Sequence, residues 1–340
     1  MATLQLFCTV SDLIADKQAP GVDEARMFQA IREASDFLQK EIGWFIPVTL
    51  TRKFNGRGFE SLLVPPLLSV ATLVDNDTSL DSTEYLLKPD DGFWTNGPYS
   101  KLVVSPDAEQ LLGWCDEENG VEITGKWGLY LRSGLIGATV QDTTQQSDSQ
   151  TTLKVSDGSR VSPGMTLLIG TEQEAVTGWG SPTTGVTTLN GAVAAADETI
   201  VLTNGALVEI GEVIRVDFEQ MKIKDKNSHT CEVTRAWNGT RRVAHTTSTS
   251  VDAYRTVNVE RGINGTTAAA HLNAVAISRY FAPDDVQFLC KEIATLIVNK
   301  ALSGYQGRTG NAETGVVFYN DAFPQYDIQR VKANYVMPRM

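Results

Sequence analysis

Along "DEARMFQAIREASDFLQKEIGW" the apolar residues Ala25, Phe28, Ile31, Leu38 and Ile42 recur at helical spacing with charged residues between them. The pattern predicts a helix, with Asp23 and Glu24 where the dipole favours negative charge and Gly43 as its stop. A second helical face is set by Val286, Leu289, Cys290, Ile293, Leu296 and Ile297, opened by Asp284-Asp285 and closed by Gly304. Between residues 48 and 135 the period drops towards two. "VTLTRKF", "LLSVATLVDN", "EYLLKP", "KLVVS" and "GVEITGKWG" read as short strands, punctuated by Pro65-Pro66 and by "PDDG" at 89–92. The last stretch, from 316, carries aromatic and aliphatic residues without a clear period.

From about 136 to 277 the pattern is β-like and repeats itself. "TLKVSDGSRVSPGMTLLIGTEQEAV" aligns with "TIVLTNGALVEIGEVIRVDFEQMKI" at a displacement of 47 residues, matching Gly158 with Gly205, Gly164 with Gly211 and Glu172-Gln173 with Glu219-Gln220. "VTRAWNGTRRVAH" at 233–245 returns as "VERGINGTTAAAH" at 259–271, a displacement of 26. "VTTLNG" at 186–191 is read as occupying the place of "VTRAWNG", so that the second copy's closing hairpin occurs once more. Units of this size are supersecondary structures that stack.

These patterns give an expected α+β fold: a small helical scaffold with short β-strands over 1–135 and 278–315, an inserted all-β repeat domain over 136–277, and a C-terminal arm over 316–340. At 340 residues the chain can bury a sizeable core. Its start lacks the basic and apolar regions of an export signal, and no uncharged apolar run reaches the ~18 residues of a membrane helix. Cys8, Cys115, Cys231 and Cys290 are scattered without a C-x-x-C pair, which predicts reduced thiols and no zinc site. The net charge of −12 makes the chain a poor ligand for nucleic acid, whose affinity grows with the phosphates neutralised by Lys and Arg.

The chemical motifs are weak. "GVEITGKW" comes within one residue of a phosphate-binding loop, but Trp127 stands where Ser or Thr would hold magnesium, and the alternation is that of a strand. Arg235 with His245, and Arg261 with His271, would be the residues of a duplicated site. No third His or Cys accompanies either pair, and Asn-Gly after a strand predicts a tight turn, so a structural role is expected for both. By the same reading the sequons at Asn238 and Asn264 are turns. No catalytic, cofactor-binding or metal-binding residue is assigned.

"LLVPPLLSVATLVDNDTSLDSTEYLLKPDDGFWTNGPYSKLVVS" followed by "GVEITGKWGL" resembles the head–tail connector (adaptor) proteins of tailed bacteriophages, through Pro65, Pro66, Leu67, Ser69, Val70, Tyr85, Leu86, Leu87, Pro89, Asp90, Gly92, Pro98, Tyr99, Leu102, Gly125, Trp127 and Gly128. The resemblance covers about 1–135 and 278–340. It implies a structural virion protein of the neck, assembled in the host cytoplasm into a ring of identical subunits, commonly twelve. Such a ring sits beneath the portal protein, joins tail, stopper or nozzle proteins, and lets DNA pass without specific binding. On this reading the arm that reaches the portal carries Phe323, Tyr326, Ile328, Arg330, Val331, Lys332, Tyr335, Met337 and Arg339. The acidic channel candidates are Asp107, Glu109, Asp116, Glu117 and Glu118. The competing expectation is a tail-associated carbohydrate-binding or depolymerase-like β-repeat protein, which accounts for the repeats but not for helices at both ends.

Overall fold

The computed structural model describes residues 3–15, 23–90, 97–302, 308–311, 316–319 and 324–335. An extended N-terminal segment leads into α1 (Val10–Ala15), followed by α2 (Glu24–Glu41). The side chain of Asp23 accepts the Arg26 N–H and so caps α2, as its position in the sequence predicts. A six-stranded antiparallel sheet follows, from β1 (Val48–Phe54), β2 (Ser61–Asp75), β3 (Thr78–Ser79), β4 (Tyr85–Lys88), β5 (Tyr99–Val104) and β6 (Val121–Trp127). Its order is β1-β6-β2-β5-β4, with β3 paired to β2. Alternate residues Leu62, Val64, Leu102, Val121 and Ile123 turn to one face and bury with Trp114 and Trp127 in a core of their own. The near phosphate-loop motif lies on β6, as an ordinary strand.

Next come β7 (Ser133–Thr139), β8 (Gln145–Gln146), β9 (Thr152–Lys154), β10 (Thr166–Ile169) and β11 (Glu172–Trp179). The chain then leaves to build β12 (Thr183–Thr188), β13 (Thr199–Val201), β14 (Val213–Val216), β15 (Glu219–Asn227), β16 (Thr230–Thr234) and β17 (Ser250–Ala253). It returns as β18 (Thr256–Glu260), β19 (His271–Leu272) and β20 (Ala276–Tyr280). β7-β20-β10-β11-β18-β9 form one sheet and β12-β17-β14-β15-β16-β13 another. The two β modules are therefore nested: the second is inserted between β11 and β18 of the first. Each has a separate apolar core. This explains the phrase that recurs after 26 residues, because 259–271 is the delayed second half of module one and not an extra hairpin. It also corrects the place of "VTTLNG": Thr183–Thr188 is the opening strand of module two, paired with β17.

The chain closes with α3 (Asp284–Leu302), a strand pair β21 (Arg308–Asn311) and β22 (Val316–Tyr319), and α4 (Gln325–Tyr335). α2, α3 and α4 pack with the N-terminal segment through Ile31, Leu38, Leu289, Ile293, Ile328 and Val331.

The expected α+β fold built on a small helical scaffold is corrected by this architecture. Among the described residues the structure is mostly β, with 38% strand and 22% helix in four helices. The 48–127 region is not a fringe of short strands on helices: β2 alone runs for 15 residues and pairs with both β5 and β6. Pro65 and Pro66 are accommodated where the β2–β5 register shifts, between Leu63 and Leu67. The inserted domain is also not walled off at 136 and 277. Its sheet takes in residues from Ser133 to Tyr280, and Ala175, Ile263 and Tyr280 belong to the helical core.

Candidate functional site

The duplicated phrase builds the same charged cluster twice. In module two, Arg235 donates from Nε and Nη2 to the two carboxylate oxygens of Glu219, each at 2.7 Å. The N–H groups of Ala236 and Val243 donate to that carboxylate, and His245 Nε2 lies 3.0 Å from it. In module one Arg261 donates to both oxygens of Glu172 at 2.7 and 2.8 Å. The N–H groups of Gly262 and Ala269 complete that carboxylate, with His271 Nε2 at 2.9 Å. Even the spare guanidinium hydrogens repeat: Arg235 Nη1 donates to Ala194 O and Asp197 O, Arg261 Nη1 to Ser147 O and Gln150 O. Each cluster pins a loop to the first residue of a strand, β15 or β11.

The Asn-Gly turns are left-handed as expected, with φ of 56° at Asn238 and 52° at Asn264. They do not return as hairpins; each docks on the N-terminal part of the chain. Asn264 Oδ1 accepts the Leu4 N–H and Asn238 Oδ1 the Glu24 N–H, each at 2.9 Å. At Gly265 a Cβ would stand 1.7 Å from Thr49 O, so only glycine allows this approach.

The two clusters differ in their second carboxylate. Module two adds Asp217, half exposed, 2.8 Å from His245 Nδ1. Module one instead buries Glu174 completely, with Oε1 3.0 Å from Arg261 Nε and 3.5 Å from His271 Nε2. Burial pushes the Glu174 carboxyl up to about 7, against the attraction of Arg261. Burial also raises Glu219, but hydrogen bonds from Arg235, Val243, Ala236 and His245 outweigh it and hold that carboxyl at about 2. Glu172, Glu174 and His271 come close enough to share a cation. The Arg261 guanidinium already holds that central place, so the arrangement is an internal ion pair with one carboxylate in excess.

The five acidic channel candidates, Asp107, Glu109, Asp116, Glu117 and Glu118, are all exposed on the 105–120 loop between β5 and β6. Of the arm residues, Ile328 and Val331 are buried against the chain's own helices. Tyr335 Oη donates to Asp285 at 2.7 Å, and its ring stands edge-on to Phe45 at 4.8 Å. Lys332 lies 3.5 Å from Glu41, while Tyr326 and Arg330 face outward. Phe323, Met337 and Arg339 lie outside the described residues. The scattered cysteines hold one surprise: Cys8 and Cys290 Sγ atoms meet at 3.2 Å in the helical core. Burial and the neighbouring Cys290 sulfur push the Cys8 thiol well up.

A groove of about 1130 Å³ lies between the outer face of the first sheet and the C-terminal helix. Trp44, Leu63, Pro65, Pro66, Leu129 and Tyr335 make it apolar, and Arg52, Lys88, Lys101 and Lys332 line it with positive charge beside one acid, Asp90. Arg52 lies over the Trp127 ring at 5.1 Å, and burial lowers its pKa. Nothing in the sequence pattern marks this groove, because its residues come from five strands, the C-terminal helix and the loops between them.

Comparison of the chain with family models, curated proteins and solved structures finds no match.

Proposed function

We propose that the chain is a structural subunit of a bacteriophage head–tail connector, forming a ring under the portal through which DNA passes. The supporting observation is where the residues of the resemblance fall. Leu67 pairs with both Tyr99 and Trp127, and Tyr85–Leu87 pair with Val104–Leu102. Gly125 lies where a Cβ would be 2.1 Å from Ser69 O, so the matched glycine is required by the matched serine's strand. Residues spread from Pro65 to Gly128 thus fall in and around one sheet, which supports reading them as a folding pattern. The charged clusters agree with a structural role, since Arg235 and Arg261 are fully engaged in internal hydrogen bonds.

Negative-stain imaging of the purified chain tests the proposal. Short rings with a central hole are expected. Monomers at all concentrations, or elongated trimers that cleave a surface polysaccharide, would overturn it. The second reading, a tail-associated carbohydrate-binding or depolymerase-like protein, draws on the nested β modules and predicts glycan binding where the connector reading predicts none.

A further inference from the structure

We infer that the 105–120 loop of one copy docks in the 1130 Å³ groove of the next, joining copies head to tail. The loop is a preformed knob. The Glu84 carboxylate accepts the N–H groups of Glu109, Gln110 and Leu111 at 3.3, 2.9 and 2.9 Å. Leu111 and Trp114 anchor it in the core of the sheet, and Trp114 N–H donates to Phe59 O at 3.0 Å. Between these anchors Leu112 stands 87% exposed, with Phe59 beside the loop's base 63% exposed. A leucine held outward by a rigid loop loses little conformational freedom on docking.

Charge selects the occupant. The knob carries Asp107, Glu109, Asp116, Glu117 and Glu118, and residues 102–125 contain no Lys or Arg. The groove is the opposite: Arg52, Lys88 and Lys101 line it and make no ion pair among the described residues. In a chain of net charge −12 such a cluster, with Asp90 as its single acid, over an apolar floor fits an acidic, apolar partner. Leu63 on that floor is itself 67% exposed.

The knob does not line the groove of its own copy. Two different surfaces that complement each other make a heterologous contact, which repeats until it closes into a ring or runs on as a filament. The inference rests on the connector reading for closure alone.

The test uses the full chain, with mass measured by light scattering and folding checked by circular dichroism. Wild type is expected to be oligomeric, and Leu112→Asp to be a folded monomer. Glu117→Lys/Glu118→Lys and Lys88→Glu/Lys101→Glu should each weaken assembly by about tenfold or more. Combining the four substitutions should restore it, which no general loss of folding could do. Monomeric wild type, unchanged assembly of Leu112→Asp, or a combined variant no better than its parents would overturn the contact. Rings that survive Leu112→Asp would sink this interface and leave the connector reading standing. Filaments dissolved by Leu112→Asp would do the reverse.

Discussion

Glu172 and Glu174 point into one buried cluster yet differ in protonation, because Glu172 receives the bidentate guanidinium and two N–H donors while Glu174 does not. Raising the Glu174 carboxyl from 4.5 to about 7 means that the folded chain holds a proton which the unfolded chain has released. Stability therefore falls as pH rises through that window and levels off above it, by an amount on the order of 3 kcal/mol. Module two shows the alternative, since Val193 and Met221 stand where module one has Gln146 and Glu174. Gln146→Val/Glu174→Met should remove most of the loss between about pH 5 and pH 8, seen as a flatter urea midpoint against pH. A variant as pH-sensitive as wild type would assign the proton elsewhere. That Arg235, His245, Arg261 and His271 form two equivalent pairs was legible from the duplication. Their carboxylate partners were not, because Glu172 lies 89 residues from Arg261 and strand alternation does not reveal which buried residues meet. The same blindness hid Cys8 and Cys290, 282 residues apart. Diamide should oxidise this pair to a disulfide, the two thiols giving up two hydrogens to the reagent. The product should lose two mass units and gain up to about 5 kcal/mol against unfolding from closing so long a loop; failure to cross-link at full reagent would mean the core does not let the sulfurs approach.

At the scale of elements, both long amphipathic helices could be read from their period, and the 47-residue repeat from its glycines. What the repeat could not show was nesting. A linear alignment records similarity and offset, and an insertion inside a module looks the same as a tandem copy with a spare hairpin. The nesting changes which piece is removable. β11 and β18 are adjacent antiparallel strands, and Gly180 N–H donates to Thr256 O at 2.9 Å, so a two-residue turn can join them. Excising 182–254 should leave a soluble, cooperatively folding chain with its helical signal intact. The loss should be confined to the contacts of Trp237 and Asn238 with Glu24, of Glu212 with Gly158 N–H, of Glu212 and Leu207 O with Arg255, and of Tyr254 with Trp179. Excising 136–277 should fail, because it strips Ala175 and Ile263 from the helical core and removes Gln173, whose Nε2 donates to Pro47 O. If the larger deletion folds and the smaller does not, the nesting is wrong.

For the whole molecule, the distribution of charge matters more than its sum. Acidic groups outnumber basic ones 41 to 29, and the 105–120 loop exposes five carboxylates and no Lys or Arg. Duplex DNA should therefore be repelled over most of the surface, as a passage for DNA requires. The groove is where a duplex could gain a hold, since Arg52, Lys88 and Lys101 line it beside a single acid, Asp90. Three phosphate contacts would give a salt slope of only about −3 in log K against log salt, and affinity that weak is lost well below physiological ionic strength. Filter binding of a random duplex should thus show no retention at about 0.15 M salt. At low salt any weak retention should disappear in Lys88→Glu/Lys101→Glu. Tight binding with a slope near −8 would demand many more cations than the groove supplies, and would overturn both the passive channel and the assignment of the groove to an acidic loop.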